Sequence, residues 1–419
     1  MEDEEIYNIG KNISGPVFTN FVLWILKKSQ DKNIKILYFF ARDGYLLYLI
    51  AKYICKKCDI NIECRYLYCS RKALRIPTYH FIDEKERKSL IYFTYGVDIA
   101  LDSVMNRTGL TVEEFEQVKK NLNISIDNDK NLPTNDYAYL CDIIDNNILY
   151  KEILFKTSKE AYNNIIGYFK QEKVFSYNKI GIVDSGWSGS MQRSFRQILE
   201  YNNHKCCITG FYFGLFKTSN DERDGEYLGW YFDEHRKFLN QVLFCHNVIE
   251  CLLSAPHETT IGYVFKENKW QPVMENFKEE YLHNIIKLHI RGVMDYIHGK
   301  DVRVTDFNNE IELKKSSRIL RRFMILPKRI EVDAFLDFLF KDDLFNDKKI
   351  SLAGYERLEL LDTYLISYKV KKKLFNYKNV FFLLWPCGSA VYLGSIKKFW
   401  YRINIVLGDL VRILKEKYR

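Results

Sequence analysis

The sequence lacks a long apolar run, a low-complexity linker and an internal repeat. The nearest candidate for a membrane span, residues 380–396, is interrupted by Pro386, Gly388 and Gly394, so it falls short of about eighteen uninterrupted apolar residues. The first residues, MEDEEIYN, are acidic and contain neither a basic nor an apolar segment, so we expect no signal peptide. These absences predict a globular, cytoplasmic chain.

Several common catalytic motifs are also missing. The sequence contains neither a GxxxxGK[ST] phosphate loop nor a GxGxxG dinucleotide fingerprint. The segment GWSGS at residues 186–190 is close to the GxSxG elbow of esterases, but Ser190 replaces the last glycine. Cys55 and Cys58 form an isolated CxxC, for which ordinary helical positions compete with zinc or redox chemistry. Ten irregularly spaced cysteines without a secretion signal predict reduced thiols.

What the sequence does contain is ample material for a core and a basic C-terminal tail. Of its 419 residues, 47% are hydrophobic and 16% aromatic, which is typical of a folded chain. The net charge of +9 is concentrated in residues 369–419, which carry twelve Lys or Arg and two Asp or Glu, a net of +10. The rest of the chain is therefore close to neutral.

Strand patterns alternate with helical patterns along much of the chain. Predicted strands lie at residues 34–40, 65–69, 180–183 and 207–216. Further helical patterns lie at residues 13–30, 45–58, 84–170, 240–253, 275–298 and 331–370. This alternation predicts an α/β fold in which helices flank a parallel sheet.

Four parts of the chain follow from these patterns. They are a discontinuous α/β core at residues 1–75 and 171–270, a helical insertion at 76–170, a helical region at 271–368 and a basic amphipathic tail at 369–419. In the tail, apolar residues from Ile396 to Leu414 recur at helical spacing with Lys and Arg between them, which is typical of a helix on a membrane surface. A helix packed on its own domain is the alternative. Because no recognition motif accompanies the charge, we expect no nucleic-acid binding.

Three of the predicted strands end in polar residues that suit a phosphate ligand. They are followed by Arg42-Asp43-Gly44, by Ser70-Arg71-Lys72 and by Asp184-Ser185-Gly186-Trp187-Ser188-Gly189-Ser190. The carboxyl ends of parallel strands meet at one edge of a sheet, so we expect one shared cleft. Arginines, aspartates and a Gly/Ser loop that opens a helix suit a polyphosphate with a divalent metal. Surface cations and a tight turn are the alternatives.

A phosphatase of the haloacid dehalogenase type would carry Asp-x-Asp after such a strand. Here Asp43 fills the second position, but Ala41 stands where the nucleophile belongs. Alanine forms no phosphoaspartate, so the ordinary mechanism of that class is excluded. A hydrolase with a degenerate nucleophile site is kept as an alternative hypothesis.

Two segments resemble phosphoribosyltransferases. IGIVDSGWSGSMQRSFRQIL is similar to the loop that binds ribose phosphate in that family, and ILYFFARDGYLLYLIAKYI is similar to its pyrophosphate loop. The resemblance implies that Asp184 holds the ribose hydroxyls of phosphoribosyl pyrophosphate and that Ser188-Gly189-Ser190 holds the 5-phosphate. Trp187 is a candidate for lining the ribose pocket, and a core aromatic is the alternative. Most members carry two adjacent acids, whereas Val183 precedes Asp184 here.

A narrower resemblance covers most of the chain. FFARDGYLL, YLYCSRKAL, VDSGWSGSMQ, GFYFGL and IECLLSAPHETTIGY together resemble a module of bacterial capsule and O-antigen assembly proteins, often described as predicted hydrolases of the haloacid dehalogenase superfamily. The resemblance implies a glycan phosphoribosyltransferase that moves ribose 5-phosphate to a sugar hydroxyl, and a tail on a membrane surface would suit a lipid-linked acceptor. A partner phosphatase would complete the ribofuranose, and glycosyltransferases would act alongside. A non-catalytic scaffold of glycan assembly is the further alternative.

The leaving pyrophosphate requires positive charge around it, because negative charge develops there as the bond to ribose breaks. Arg42, the backbone amide of Gly44, Ser70 and Arg71 are the candidates for binding the pyrophosphate. Asp43 is the candidate ligand for Mg²⁺, which typically takes one or two carboxylates in addition to phosphate oxygens.

The acceptor hydroxyl requires a base or a hydrogen-bond partner. In the segment NVIECLLSAPHETTIGY, Glu250 lies on a predicted helix and His257 lies in a loop before a predicted strand. Either side chain is a candidate for orienting the acceptor. A carboxylate on a helix surface and a loop histidine without a catalytic role are the alternatives.

Overall fold

A sheet of five parallel strands forms the centre of the computed structural model, which describes residues 2–93, 99–218, 221–234, 238–276, 280–303, 306–307, 309–336, 338–341, 349–354 and 383–417. The strands are β1 (Ile36–Phe40), β2 (Glu63–Leu67), β3 (Lys179–Trp187), β4 (Cys207–Leu215) and β5 (Glu226–Phe232). Their order is β2-β1-β3-β4-β5, one of the common orders of doubly wound α/β folds. The predicted α/β class, a parallel sheet flanked by helices, is confirmed.

Helices surround this sheet. Those before β3 are α1 (Glu2–Ile9), α2 (Gly15–Asp31), α3 (Gly44–Lys57), α4 (Arg71–Arg75), α5 (Glu84–Ile91), α6 (Asp102–Thr108), α7 (Val112–Asn121), α8 (Thr134–Asn146) and α9 (Ile148–Gln171). Those after β3 are α10 (Ser190–Tyr201), α11 (Phe238–Gln241), α12 (His246–Leu253), α13 (Glu280–Gly299), α14 (Glu310–Ile325), α15 (Arg329–Asp333), α16 (Pro386–Ser389) and α17 (Ser395–Lys417). A π-helical turn, Gly10–Ser14, joins α1 to α2.

The all-apolar strand β1 shows how the two layers of helices are held. Its five residues are all buried, because successive side chains point to opposite faces and both faces are covered. Leu37 and Phe39 pack into a core shared with α2, α3, α13 and α14. Ile36, Tyr38 and Phe40 pack into a second core shared with α4, α9 and α10. Apolar burial on both faces stabilises the sheet.

The described part of residues 76–170, where a helical insertion was predicted, is mostly helical and contains a core of its own. Phe115, Val118 and Tyr137 are buried there together with residues of the first half of α9, such as Leu154. The second half of α9 belongs to the sheet, where Phe169 packs with α10. Helix α9 therefore connects the insertion to the sheet through one continuous element.

Two hairpins follow the sheet, and part of the predicted secondary structure is wrong there. Strands β6 (Thr260–Lys266) and β7 (Lys269–Met274) are antiparallel, so the core boundary predicted at residue 270 falls inside β7. Strands β8 (Leu339–Lys341) and β9 (Lys349–Ser351) lie where a helix was predicted across 331–370. Runs of three residues are too short for their periodicity to distinguish a strand from a helix. Residues 355–370 of that prediction lie outside the described residues.

The basic tail is described from residue 383. Helix α17 covers the amphipathic pattern that predicted it, whereas Lys371-Lys372-Lys373 and Phe375 lie outside the described residues. In the part of the chain that the structure describes, no helix combines the length and the apolar character needed to cross a membrane.

Candidate active site

The candidate site lies where the order of the sheet reverses. The chain passes from β1 to β2 on one side and from β3 to β4 on the other, and a doubly wound sheet forms its crevice at such a point, here the carboxyl ends of β1 and β3. Phe39 of β1 pairs with Val183 of β3, so the turn after β1 lies beside Asp184. Ligands of doubly wound sheets bind in this crevice.

The turn after β1 leads directly into helix α3. The Tyr45 amide donates to the Arg42 carbonyl at 3.0 Å, and the Ala41–Arg42 peptide bond is cis. A Cβ atom on Gly44 would lie 2.8 Å from the Phe39 carbonyl carbon, so only glycine fits at the start of α3. The Arg42 side chain is exposed at the rim of the crevice.

Strand β3 is longer than predicted, which shortens the Gly/Ser loop. The predicted strand ended at Val183, but pairing with β4 continues to Trp187, and only Ser188 and Gly189 separate β3 from α10. At Gly186 the two strands approach closely, since a Cβ there would lie 2.3 Å from the Gly214 carbonyl oxygen. The Gly/Ser pattern predicted a loop, but here glycine permits strand pairing.

The N-terminus of α10 presents backbone amides beside a cation. Gly189 precedes the helix with a φ of 61°, and a Cβ on it would lie 2.3 Å from the Tyr227 ring. The Arg75 guanidinium of α4 donates to the Ser190 hydroxyl at 3.3 Å. Ser188 is exposed. Unpaired amides and a guanidinium suit an anion. Arg75 was not among the predicted site residues, although its position one turn after Arg71 places both on one face of α4.

Asp43 and Asp184 meet on the same serine. The Ser185 amide donates to Asp184 Oδ1 at 2.9 Å, and the Ser185 side chain acts on Asp43, whose pKa it lowers. Burial raises the pKa of Asp184 to about 8, and the charge of Asp43 adds to the effect. Burial also raises the pKa of Asp43 to about 6, with Glu250 as the next cause. Arg71 lowers both pKa values, so the three acids and this arginine act on one another.

Trp187 connects β3 to α12. Its φ of 78° lies in the left-handed region that a bulky residue rarely adopts, which marks a position under strain. The indole Nε1–H donates to Glu250 Oε1 at 2.7 Å. The ring packs against Phe216, Phe244 and His246, with centroid distances of 6.2, 5.3 and 5.8 Å. Trp187 therefore lines one side of the crevice and orients the Glu250 carboxylate.

His257 holds a tyrosine hydroxyl on the opposite side. A carbonyl oxygen only accepts, so the contact of 2.8 Å between His257 Nδ1 and the Glu258 carbonyl assigns the proton to Nδ1. Burial lowers the pKa of His257, which favours the neutral ring. Nε2 then accepts from the Tyr66 hydroxyl at 2.7 Å. Both ring nitrogens are engaged, so Glu250 is the better candidate base.

Four half-buried tyrosines line this side of the crevice, and we call them the tyrosine wall. Tyr45 and Tyr48 lie on the first turns of α3, and Tyr66 and Tyr68 lie on β2 and just after it. The Tyr66 ring lies 5.3, 5.9 and 5.0 Å from the rings of Tyr45, Tyr48 and Tyr68. Burial is the largest cause of the raised pKa of Tyr66, and the charge of Asp43 contributes. Sequence reasoning missed the wall, although its members flank two of the predicted phosphate-binding segments.

The Ser70 hydroxyl forms its hydrogen bonds within the protein. Its hydroxyl oxygen accepts from the Ala73 amide at 3.0 Å and caps α4, and its proton is donated to the Thr260 carbonyl at 2.6 Å. These bonds tie α4 to the β6–β7 hairpin. Arg71, the first residue of α4, is exposed and acts electrostatically on both aspartates.

The acids fit the Mg²⁺ that the resemblance implies. In the part of the chain that the structure describes, no group of three or more His, Cys, Asp or Glu side chains is arranged to hold a metal ion alone. Mg²⁺ bound to a phosphate ligand takes only one or two carboxylates, and Asp43 and Asp184 are two whose charges act on each other. A divalent cation would offset the like charges that raise their pKa values. Asp43 is the better ligand, since it lies on the side of Arg42.

The isolated CxxC does not form a joint site. Cys55 Sγ lies 3.9 Å from Cys64 Sγ on β2, whereas Cys58 Sγ donates to the Val302 carbonyl at 3.6 Å. The two thiols therefore face different neighbours. All ten cysteines are free.

No protein-family model matches the chain, and no curated protein is detectably similar to it. Function therefore has to be inferred from the residues in the crevice.

Proposed function

We propose that the protein is a cytoplasmic glycan phosphoribosyltransferase, and that the crevice between β1 and β3 binds phosphoribosyl pyrophosphate. The observation that carries the proposal is the convergence of three strand ends at the switch point. It brings two aspartates onto Ser185, the N-terminus of α10 beside Arg75, and Arg71 within electrostatic reach of both acids. The N-terminus of α10 suits a phosphate, the aspartates suit a ribose diol, and the arginines suit a pyrophosphate.

The 5-phosphate binds at the N-terminus of α10 in this proposal. The amides of the first turn and the helix dipole favour an anion, and Arg75 already contacts Ser190 at that end. Asp184 accepts hydrogen bonds from the ribose hydroxyls. Burial raises the pKa of Asp184 because it disfavours the charged carboxylate. A bound diol or cation would stabilise that charge.

The pyrophosphate binds on the side of β1. Arg42, Arg71 and the Gly44 amide stabilise the negative charge that develops on the leaving group, where preorganised donors lower the barrier most. Mg²⁺ held by Asp43 would supply further positive charge to the pyrophosphate oxygens. Arg42 and Arg71 act on Asp43 as neighbouring charges, so one cluster positions both the cation site and the anion site.

The transfer step exchanges one bond at the anomeric carbon. The acceptor oxygen forms a bond to C1 of the ribose, the bond from C1 to the pyrophosphate oxygen breaks, and the pyrophosphate leaves with that electron pair. The hydroxyl proton passes to Glu250, whose carboxylate is oriented by the hydrogen bond of 2.7 Å from Trp187. The products are the ribosyl 5-phosphate glycoside and pyrophosphate.

The tyrosine wall supports a sugar acceptor. The faces of aromatic rings are electronegative, so they attract the weakly positive C–H groups on one face of a pyranose ring. The hydrogen bond from Tyr66 to His257 fixes one ring of the wall without consuming a charged group. In this proposal the acceptor is a lipid-linked glycan, a partner phosphatase removes the 5-phosphate afterwards, and glycosyltransferases extend the chain.

Thermal unfolding with ligands tests donor binding. A ligand that binds only the native state raises the melting temperature by mass action. We expect millimolar phosphoribosyl pyrophosphate with Mg²⁺ to raise it by several degrees, and Arg42→Gln to weaken that shift. Arg291→Gln, an exposed arginine on α13, is the matched control and should leave the shift unchanged. An unmoved melting curve would favour the non-catalytic scaffold. Release of inorganic phosphate from the donor would favour the degenerate hydrolase.

A further inference from the structure

Helix α17 turns a broad apolar face toward solvent. Five large side chains on it are exposed, and Ile396 is the most exposed at 87%; the other four are Phe399, Trp400, Leu407 and Val411. At about 100° per residue, Ile396, Trp400 and Leu407 fall within a narrow arc of the helix surface. Isolated exposed apolar residues are normal, but a row of them along one helix marks an interaction surface.

The opposite face of α17 attaches the helix to the rest of the protein. Ile405 and Ile413 are buried on this face, and Asp409 Oδ2 accepts from the Leu243 amide at 2.7 Å. A helix of a globular protein normally buries its apolar stripe and exposes its polar one. In α17 the docked face includes polar residues, whereas both exposed aromatic rings point outward. The outward face is therefore not required for docking the helix.

The basic residues of α17 indicate what kind of partner binds its exposed apolar face. Residues 395–417 contain six Lys or Arg and two Asp or Glu. One of these acids, Asp409, is bound to a backbone amide of the protein. Lys397 is exposed beside Ile396, at the edge of the apolar row. An apolar stripe with aromatic residues and basic residues at its edge matches the boundary between the headgroups and acyl chains of an anionic membrane.

We propose that α17 lies in the plane of an anionic lipid surface and anchors the protein there. Phe399, Trp400 and Leu407 insert below the headgroups, and lysines contact the lipid phosphates. The helix remains docked through Asp409, so the rest of the chain is held at the surface. This proposal does not depend on the transferase chemistry.

Flotation of the full-length protein with lipid vesicles tests this anchor. One set of vesicles contains phosphatidylcholine with about 30% phosphatidylglycerol, and the other contains phosphatidylcholine alone. The variant is Phe399→Ser combined with Trp400→Ser. The matched control is Tyr139→Ser combined with Ile148→Ser, two exposed positions of the helical insertion; Tyr139 and Phe399 are both 68% exposed.

We expect the wild-type protein to float with anionic vesicles, to do so less in high salt, and to bind neutral vesicles weakly. The Phe399/Trp400 variant should lose at least about tenfold in vesicle affinity, because two apolar side chains no longer leave water, while the control keeps wild-type binding. Trp400→Phe should retain binding but show less quenching of tryptophan fluorescence by brominated lipid.

Three outcomes would overturn the anchor. One is equal flotation of the wild-type protein and the Phe399/Trp400 variant. Another is a wild-type dimer in the absence of lipid that becomes a monomer in that variant, which would assign the face to a second copy of the chain. The third is loss of cooperative unfolding in the variant, which would assign the two rings to the core.

Discussion

Trp187 donates a hydrogen bond of 2.7 Å to Glu250, and this bond joins strand β3 to helix α12 across the candidate active site. The indole is a neutral donor, so it orients the carboxylate without neutralising it. The Glu250 charge in turn raises the pKa of both Asp43 and Asp184. A strained backbone position, a general-base candidate and a pair of acids are therefore linked through one side chain.

Trp187→Phe tests the orientation of the base. The substitution keeps an aromatic ring but removes the donor, and a hydrogen bond to a charged group contributes about 1.5–3 kcal/mol. We expect transfer to slow by at least about tenfold, while phosphoribosyl pyrophosphate still raises the melting temperature. Trp270→Phe on strand β7 is the matched control and should keep the wild-type rate. A wild-type rate in Trp187→Phe would remove Glu250 from the mechanism.

Asp184→Asn tests both the ribose contact and the cost of the buried acid. The pKa of Asp184 rises from 3.8 to about 8 on folding, so the folded state keeps a proton that the unfolded state releases between these values. This group therefore lowers the free energy of unfolding as the pH rises from about 4 to 8. Asparagine does not titrate, so Asp184→Asn removes this contribution to the pH dependence of the free energy of unfolding. It also removes the charge that contacts the ribose.

The measurement is urea unfolding at pH 5 and at pH 8, with a transfer assay alongside. Relative to the wild-type protein, Asp184→Asn should gain stability at pH 8 compared with pH 5, and it should lose transfer activity. The raised pKa of Asp184 sets the sign of this difference. The pKa of Asp43, raised to about 6, makes the wild-type stability depend on pH in the same direction. If Asp184→Asn instead lost stability relative to the wild-type protein between pH 5 and pH 8, Asp184 would lie in a solvated environment.

Tyr45→Ala tests the tyrosine wall as the acceptor site. Loss of one stacking surface, worth about 0.5–1.5 kcal/mol, should raise the KM for a pyranoside acceptor roughly threefold to tenfold. The shift in melting temperature with phosphoribosyl pyrophosphate should stay, so failure of acceptor binding is distinguishable from failure of donor binding. Tyr53→Ala, two turns further along α3 beside His298, is the control. An unchanged KM in Tyr45→Ala would assign the acceptor to another surface.

His289 should destabilise the fold in acid. It is buried on α13, where Nε2 lies 2.8 Å from the Ser14 hydroxyl, and burial lowers its pKa from 6.5 to about 4. The unfolded state therefore binds a proton that the folded state does not, and stability is lost as the pH falls from about 6.5 to 4. His289→Gln should flatten this part of the pH profile of urea unfolding. The same slope in both proteins would contradict the assignment.

The chemistry of the strand ends was visible in the sequence because it is local. The apolar runs before Asp43 and Asp184 predicted two strands of one parallel sheet, and the structure pairs Phe39 with Val183. The tyrosine wall escaped prediction because its members meet only when α3 packs on β2. The role of Ser70 escaped as well, since its partner Thr260 is distant in sequence. Contacts between distant segments leave no periodic signal.

The predicted end of strand β3 was also wrong, and some strands were not predicted. The Gly/Ser composition of residues 186–190 predicted a loop, whereas the close approach of Gly186 to Gly214 extends the strand. Strand β5 was not predicted because its apolar run follows a charged turn without clear alternation. In each case pairing with a neighbouring strand decided the structure, and that neighbour is not apparent from the local sequence.

Mass spectrometry of an acceptor assay tests the proposed transfer most directly. The full-length protein is incubated with phosphoribosyl pyrophosphate, Mg²⁺ and a panel of methyl pyranosides and their disaccharides. We expect one acceptor to gain a single ribose 5-phosphate unit with release of an equal amount of pyrophosphate, and we expect Asp184→Asn to form no such product. Consumption of the donor without a glycoside, or an untouched donor with every acceptor, would contradict the assignment of this crevice as a phosphoribosyltransferase site.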